Sequence, residues 1–432
     1  MRVLLNTIGT AGDVHPYIAL ALALKARGHE AVILANPFFA ARINGAGVGF
    51  WPVGTEAEYV AFVKASDLAA GRRSVGHVLS NLIVPSFSPC LDAVDSAWRA
   101  FRPDAAVVHH ISFGAAAACE KIGLPYALGV LAPLFWLSRS EPILFPVLPL
   151  REPPAFVDRA LRSWLRPVGR WMVDRRINRL RRGAGFVPLR DVSVRSARGG
   201  DGVLAHERVT DPDKAVPALG LWSEHFRAPM PDDPARGAIC GFCPWDRPVV
   251  TTRRAAELKE LAEWMERGPA PVLVTLGSSV AHHGGEVYRR VAEACGKLDR
   301  RVVLLTGSGE GLTGDERVRS IDYAPISMLL PRCQAAVHHA GIGTTAGVLR
   351  AGRPAVMIPH ANDGYDNADR VRRLGIGLSI SPRKASTAVL CALLDRVMND
   401  RDMASRAKAL GEKLQAENGA AKAAVKIEGL VR

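Results

Sequence analysis

Short apolar runs alternate with longer stretches of helical spacing through the first half of the chain. "RVLLNT" reads as a strand, "HPYIALALALKARG" as a helix and "EAVILA" as a second strand. Further on, "DAAVVHH", "GAAAACEKIG" and "PYALGV" give strand, helix and strand again. Glycine or proline punctuates each change. The second half repeats the plan: "PVLVTLG" is a strand, "GEVYRRVAEACGKL" a helix and "RVVLLTG" a strand, and "QAAVHHA" leads through "TTAGVLRAG" to "PAVMIP". Strands alternating with helices imply βαβ units and parallel sheets covered on both faces. Between the halves, "APMPDDPARGAICGFCPWDRP" is rich in Pro, Gly and acid. The pattern predicts an α/β protein of two facing, doubly wound, Rossmann-like domains with an interdomain cleft. Residues 1–240 form the first domain, 241–250 a linker and 251–410 the second. Residues 411–432 read as a closing helix that packs back on the first domain.

Composition narrows the class. The 432 residues are 48% hydrophobic and 23% charged, which is globular rather than disordered. Seven scattered cysteines imply no disulfide framework and fit a reducing compartment. Cys240 and Cys243 make a C-x-x-C without a second pair, so a structural reading is preferred to zinc or redox chemistry. "MRVLLNTIGTAGD" is a strand and a glycine turn rather than a signal peptide. No apolar run reaches the roughly 18 residues of a spanning helix. A cytoplasmic protein is expected, at most peripheral to the inner face of the membrane.

The net charge of +14 is uneven: residues 151–195 carry twelve Arg against four acids. Trp164, Val168, Trp171 and Met172 recur at helical spacing among them. The segment is either a solvated helix with one buried stripe or a basic amphipathic surface for anionic lipid. No nucleic-acid motif accompanies the charge, and no nucleic-acid partner is expected.

The stretch "AAVHHAGIGTTAGVLRAGRPAVMIPHANDGYDN", residues 335–367, carries the chemistry. A strand ends in His338 and His339, glycines follow, and Thr344 and Thr345 open a helix. Glycines allow close backbone approach, and the first amides of a helix are unpaired and favour an anion, so a phosphate is the expected guest. His338 or His339 would donate a charge-assisted bond to a second phosphate. Asp363 follows Gly341 by 22 residues, about where a ribose-binding acid stands in a dinucleotide fold, so a nicotinamide dehydrogenase competes on these residues alone.

"DYAPISMLLPRCQAAVHHAGIGTTAGVLRAGRPAVMIPHANDGYDN" resembles the donor-binding signature of family-1 glycosyltransferases. The resemblance is to the bacterial branch that decorates lipids, sterols and natural products, including the rhamnolipid rhamnosyltransferases. "GTAGDVHPYIALALALKARGHEAVILA" and "VLVTLGSS" resemble other parts of the same family. The resemblance implies the GT-B fold and metal-independent, inverting sugar transfer from a UDP- or dTDP-linked sugar such as glucose or rhamnose. It implies no cofactor beyond that co-substrate, and a hydrophobic small-molecule or lipid acceptor. A nucleotide-sugar epimerase and a non-catalytic nucleotide-sugar binding protein are the other readings.

The resemblance also distributes roles. Asp13, at the start of the first helix, takes the place of the catalytic base, although Asp there also reads as a helix cap. His15 stands nearby, and His109 and His110 end the strand "DAAVVHH"; His110 joins Asp13 and His15 in the catalytic set. The family's supporting acid near that strand end has no matching Asp. Ser278, His339, Gly341, Gly343, Thr344 and Thr345 are assigned to the diphosphate, and Tyr323 to the nucleobase. Asp363 and Gly364 stand where the family holds sugar hydroxyls with Asp-Gln. Glycine brings no side chain there, which favours a deoxy sugar. Gly347 replaces the ribose-binding Glu of the plant branch. "VLAPLFWLSRSEPILFPVLPL", with Phe135, Trp136, Leu144 and Phe145, is core or the wall of an acceptor pocket. "TDPD" at 210–213 reads as a turn rather than a metal site.

Overall fold

The computed structural model describes residues 1–66, 74–136, 138, 141, 175–186, 216–247, 252–277, 284–307 and 314–431. They form two compact units, the first drawing on Met1–Ala65, Arg73–Trp245 and Asn418–Arg432, the second on Asp246–Glu417. Ser278, Leu144, Phe145, residues 210–213 and the aromatic stripe at 164–172 lie outside the described residues, as does most of the basic segment.

The first unit carries β1 (Arg2–Asn6), β2 (Glu30–Ala35), β3 (Gly49–Pro52), β4 (Ala105–His109), β5 (Tyr126–Val130), β6 (Ala218–Gly220) and β7 (Gly237–Ile239). All pairs are parallel, in the order β3-β2-β1-β4-β5-β6-β7. Every residue of β4 is buried, as expected of a central strand covered on both faces. Helix α1 (Ala11–Ala26) follows β1, and α2 (Arg175–Gly183) holds the described part of the basic segment. In α2, Arg181 is buried and donates to Glu120 at 2.7 Å, and Arg176 donates to Ser80 Oγ at 2.7 Å. These two arginines are therefore engaged in the fold.

The second unit carries β8 (Val272–Thr275), β9 (Val302–Leu305), β10 (Val318–Ile321), β11 (Ala335–His338), β12 (Ala355–Met357) and β13 (Gly377–Ser379). They pair in parallel in the order β10-β9-β8-β11-β12-β13. Alternate residues feed two cores, as the two-residue period of a strand requires. Val272, Val274, Val302, Leu304 and Val337 face α3 (Gly285–Lys297), while Leu273, Val303, Leu305 and Ala336 pack with Leu261, Trp264 and Val348 on the other side. Helix α4 (Ile342–Arg350) follows β11, and α5 (Gly364–Arg373) follows β12. Helices α6 (Thr387–Asn399) and α7 (Arg401–Ala416) complete the unit.

The C-terminal stretch, read from sequence as helix throughout, is broken. Asn418 caps a separate helix, α8 (Gly419–Glu428), its side-chain oxygen accepting from the amide of Ala421 at 3.0 Å. Helix α8 packs on α1 within the first unit. There Glu428 accepts from Arg27 at 2.7 Å and lies 2.8 Å from His29, and these partners pull its carboxyl down to about 2. Cys240 and Cys243 are free and buried; burial pushes the Cys240 thiol up to about 11 and Cys243 further. Both are therefore held as inert thiols. Among the described residues no helix is long and apolar enough to cross a membrane.

Candidate active site

In open parallel sheets ligands bind beyond the carboxyl ends of the strands, where the strand order reverses. In the first sheet that switch lies between β1 and β4. Asp13 follows β1 and His109 ends β4, so the topology brings them to one corner. Asp13 Oδ2 accepts from the Thr10 amide at 2.6 Å and the Thr10 hydroxyl at 3.2 Å. Oδ1 lies 3.5 Å from His109 Nε2. One oxygen therefore caps the helix while the other is turned to the imidazole, so capping and chemistry are divided between the two atoms. Gly9 makes this possible: with φ at +120°, it lies so close that a Cβ there would stand 2.3 Å from Oδ2.

His109 is 1% exposed, and neither of its ring nitrogens has a hydrogen-bond partner among the described residues. Buried imidazoles are ordinarily bonded, so this ring is poised to bond Asp13 with a small movement. His110, placed in the catalytic set from sequence, is engaged elsewhere. Its Nδ1 donates to the carbonyl of Gly129 at 3.3 Å, and its ring lies 4.2 Å from that of Phe135. His15 is also turned away: its Nε2 accepts from Arg42 at 3.1 Å, and its ring meets Trp245 edge-on. Burial, with Arg42 beside it, pushes His15 down to about 3, so it is neutral at pH 7.

Gly9 and Val14, which flank Asp13, also line an open cleft of about 560 Å³, solvent included. Its walls are largely apolar, with Ile8, Phe39, Tyr59, Phe62 and Leu82, and Glu58 and Asn81 add polar points. Sequence reasoning missed this cleft, because its walls come from loops and helices spread over residues 7–89. Trp136, assigned to the acceptor, is core: it is 2% exposed and packs edge-on against Trp222 at 4.8 Å.

The second sheet reverses between β8 and β11, where Thr275 and His338 are in register. Gly277 follows β8, and His339 and Gly341 follow β11. The His339 ring is seated between these two glycines. A Cβ on Gly277 would meet His339 Cε1 at 2.3 Å, and one on Gly341 would meet Nε2 at 2.3 Å. Gly341 is the N-cap of α4. The amides of Ile342, Gly343 and Thr344 precede the first intrahelical bond, which runs from the Thr345 amide to the Gly341 carbonyl at 2.9 Å. Thr345 is therefore a correction: its amide is used within the helix and its side chain is fully buried. Gly343 is exposed and Thr344 half-buried.

His339 also departs from expectation. Burial first, then His360, pushes it down to about 4 against a bond to the Thr275 backbone, so the ring is neutral rather than charged. Asp363 is the N-cap of α5, and its Oδ2 accepts from Asn367 Nδ2 at 2.7 Å. Gly364, next to it, lies under the His339 carbonyl, which a Cβ would approach to 3.0 Å. Tyr323 stands beyond β10 at the sheet edge, half-buried, its hydroxyl donating to the Asp246 carbonyl at 3.1 Å. Three strand spacings, about 14 Å, separate β10 from β11.

The neutral histidines set the acid limit of the fold. His15 and His338 are held down to about 3 and His339 to about 4, all chiefly by burial. Their unfolded value is about 6.5. Below that pH the unfolded chain takes up protons that the folded chain refuses, so stability is full above about pH 6.5 and lost as pH falls toward 4. Protonation of His338 Nδ1 would also break the bond it accepts from the Ala340 amide at 3.1 Å. Melting temperature should fall steadily between pH 7 and 4.5 in differential scanning fluorimetry; a flat profile would show that these rings are not buried neutral.

Comparison with known proteins agrees with the fold. Residues 3–108 match the glycosyltransferase family 28 N-terminal domain, and residues 289–430 the erythromycin biosynthesis protein CIII-like C-terminal domain. The O-mycaminosyltylonolide 6-deoxyallosyltransferase of Streptomyces fradiae is 31% identical, over 99% of this chain and 97% of its own. The sterol 3-beta-glucosyltransferase UGT80B1 of Arabidopsis thaliana is 26% identical over 98% of this chain and 67% of its own. Among solved structures, the glycosyltransferase of kitacinnamycin superposes with a TM-score of 0.71 at 20% identity, over 100% of this chain and 99% of its own. VinC in complex with dTDP gives 0.62 at 18% identity, over 100% and 99%. With two Rossmann-like units, a reversal point in each sheet and a relative this similar along its length, the chain belongs to the natural-product and sterol glycosyltransferases of the GT-B fold, nucleotide-sugar enzymes that transfer hexoses.

Proposed function

We propose that the chain is an inverting transferase that moves a deoxy sugar from a dTDP- or UDP-linked donor to a hydroxyl of a hydrophobic small molecule. The observation that carries this reading is the divided carboxylate of Asp13: one oxygen anchored on Thr10, the other beside His109, with its flanking residues on an apolar cleft. An acceptor hydroxyl in the cleft gives its proton to Asp13 as its oxygen forms a bond to the anomeric carbon. The bond from that carbon to the diphosphate oxygen breaks from the opposite face, which inverts the centre. The imidazole of His109 orients the carboxylate and shares the incoming proton's charge.

The leaving diphosphate gains charge as the bond breaks. The open amides of Ile342, Gly343 and Thr344, the Thr344 hydroxyl and the N–H of His339 supply fixed donors at the helix start. These donors carry the diphosphate charge in this reading with no metal ion. Tyr323 is assigned the base, at a distance from the helix start that suits an extended nucleotide. Asp363 takes a sugar hydroxyl. The absence of a side chain at Gly364, beneath the His339 carbonyl, favours a sugar with fewer hydroxyls. The dTDP complex of VinC and the deoxyallosyl transfer named for the Streptomyces fradiae relative support a thymidine-linked deoxy sugar.

A panel of dTDP- and UDP-sugars, scored for nucleotide release with and without lipidic, sterol and phenolic acceptors, tests the reading. Acceptor-dependent release of dTDP, unchanged by EDTA, is expected. Interconversion of the sugar without an acceptor would assign an epimerase instead.

A further inference from the structure

Ala340 stands between His339 and the N-cap Gly341 with φ at +65°, a left-handed backbone that an L-residue carrying a Cβ rarely adopts. Both of its peptide groups are tied down by side chains. Its N–H donates to Nδ1 of His338 at 3.1 Å, and its carbonyl accepts from Nδ2 of Asn367 at 2.9 Å. The same Nδ2 donates to Oδ2 of Asp363 at 2.7 Å. Asn367 is fully buried in the first turns of α5. Both partners of Nδ2 are acceptors, so the amide is held with its nitrogen toward them. One side chain thus bonds the turn that feeds α4 and the carboxylate of Asp363, the N-cap residue of α5.

We propose that Asn367 is a positioning residue for the sugar-nucleotide donor: its amide locks the left-handed Ala340 turn, aiming the open amides of α4, and fixes the Asp363 carboxylate at the same time. The inference rests on the donor site proposed above, and the ligand need not touch Asn367. A tether of this kind makes the diphosphate and sugar contacts settle together. Loosening it disperses both before any contact atom is removed.

Calorimetric titration of the full chain with dTDP, together with donor kinetics, tests the proposal. Asn367→Ala should weaken dTDP about tenfold, the scale of one lost buried hydrogen bond and the turn it holds, and should raise KM for the sugar nucleotide more than it lowers kcat. Adding Ala340→Gly to Asn367→Ala should recover most of the dTDP affinity, because glycine takes the left-handed conformation without a clamp. An asparagine that merely packs α5 would lower the melting temperature and be indifferent to residue 340. Unchanged dTDP affinity in Asn367→Ala, or no recovery in the double variant, overturns the proposal. If Asn367→Ala does not fold, Asn367→Ser is read in its place against the same two outcomes. His339→Ala is measured alongside. If it too leaves dTDP binding intact, the donor site itself is misassigned; if it weakens binding while Asn367→Ala does not, the tether alone fails.

Discussion

Asp13→Asn is expected to lower kcat by about 10²- to 10⁴-fold, the range of a general base, while dTDP binding in the other unit is unchanged. The substitution is clean because the two oxygens have different tasks. A carboxamide oxygen can still accept from the Thr10 amide in the place of Oδ2, so the start of α1 stays capped. What is lost is a basic oxygen beside His109. Gly9→Ala reaches the same end by another route: its Cβ would stand 2.3 Å from Oδ2 and displace the carboxylate without changing its chemistry. His109→Phe keeps a buried ring and removes both nitrogens, and should cost roughly ten- to a hundredfold in kcat. Retention of a tenth or more of wild-type kcat in Asp13→Asn would move the base elsewhere. Loss of dTDP binding as well would return Asp13 to a purely structural part.

The strands were legible from sequence because each central one is an uninterrupted apolar run bounded by glycine or proline. The strand order was not, since nothing local in "RVLLNT" or "DAAVVHH" says that these two runs lie side by side. That adjacency alone brings Asp13 and His109 together. The choice between His109 and His110 was closed to sequence for a related reason. Neighbouring side chains at a strand end point to different sides, and which of them meets Asp13 depends on where pairing stops. Thr344 and Thr345 differ in the same way, since a helix turns about 100° per residue and buries the second fully while leaving the first half-buried. The phosphate turn could be read because glycines, histidine and threonine converge within one short motif. Its supports could not, because Gly277 and Asn367 arrive from other segments of the chain. Trp136 misled because an aromatic among prolines looks the same whether it lines a pocket or, as here, fills a core beside Trp222.

His339→Ala should weaken dTDP binding by about ten- to a hundredfold, the effect of removing one hydrogen bond to a charged group. The ring cannot be replaced by its surroundings, since Gly277 and Gly341 leave only backbone on either side of it. Gly277→Ala should do comparable harm: its Cβ would press to 2.3 Å from Cε1, and φ of +70° disfavours any residue with a side chain. The state of the ring gives the prediction a second edge. Held at about 4 by burial, it is neutral in the free protein at pH 7. If it stays neutral on the diphosphate, affinity is level between pH 6 and 8 and binding heat is independent of buffer ionisation. If the diphosphate draws a proton onto it, the bound ring has the higher pKa, and affinity climbs as pH falls below that pKa toward 4, with a proton taken up from the buffer on binding. Burial argues for the first outcome, because it and His360 outweigh the bond to the Thr275 backbone that favours the charged ring. Undiminished dTDP affinity in His339→Ala would place the diphosphate away from the β8–β11 corner, and the assignments of Gly341, Gly343 and Thr344 would fall with it.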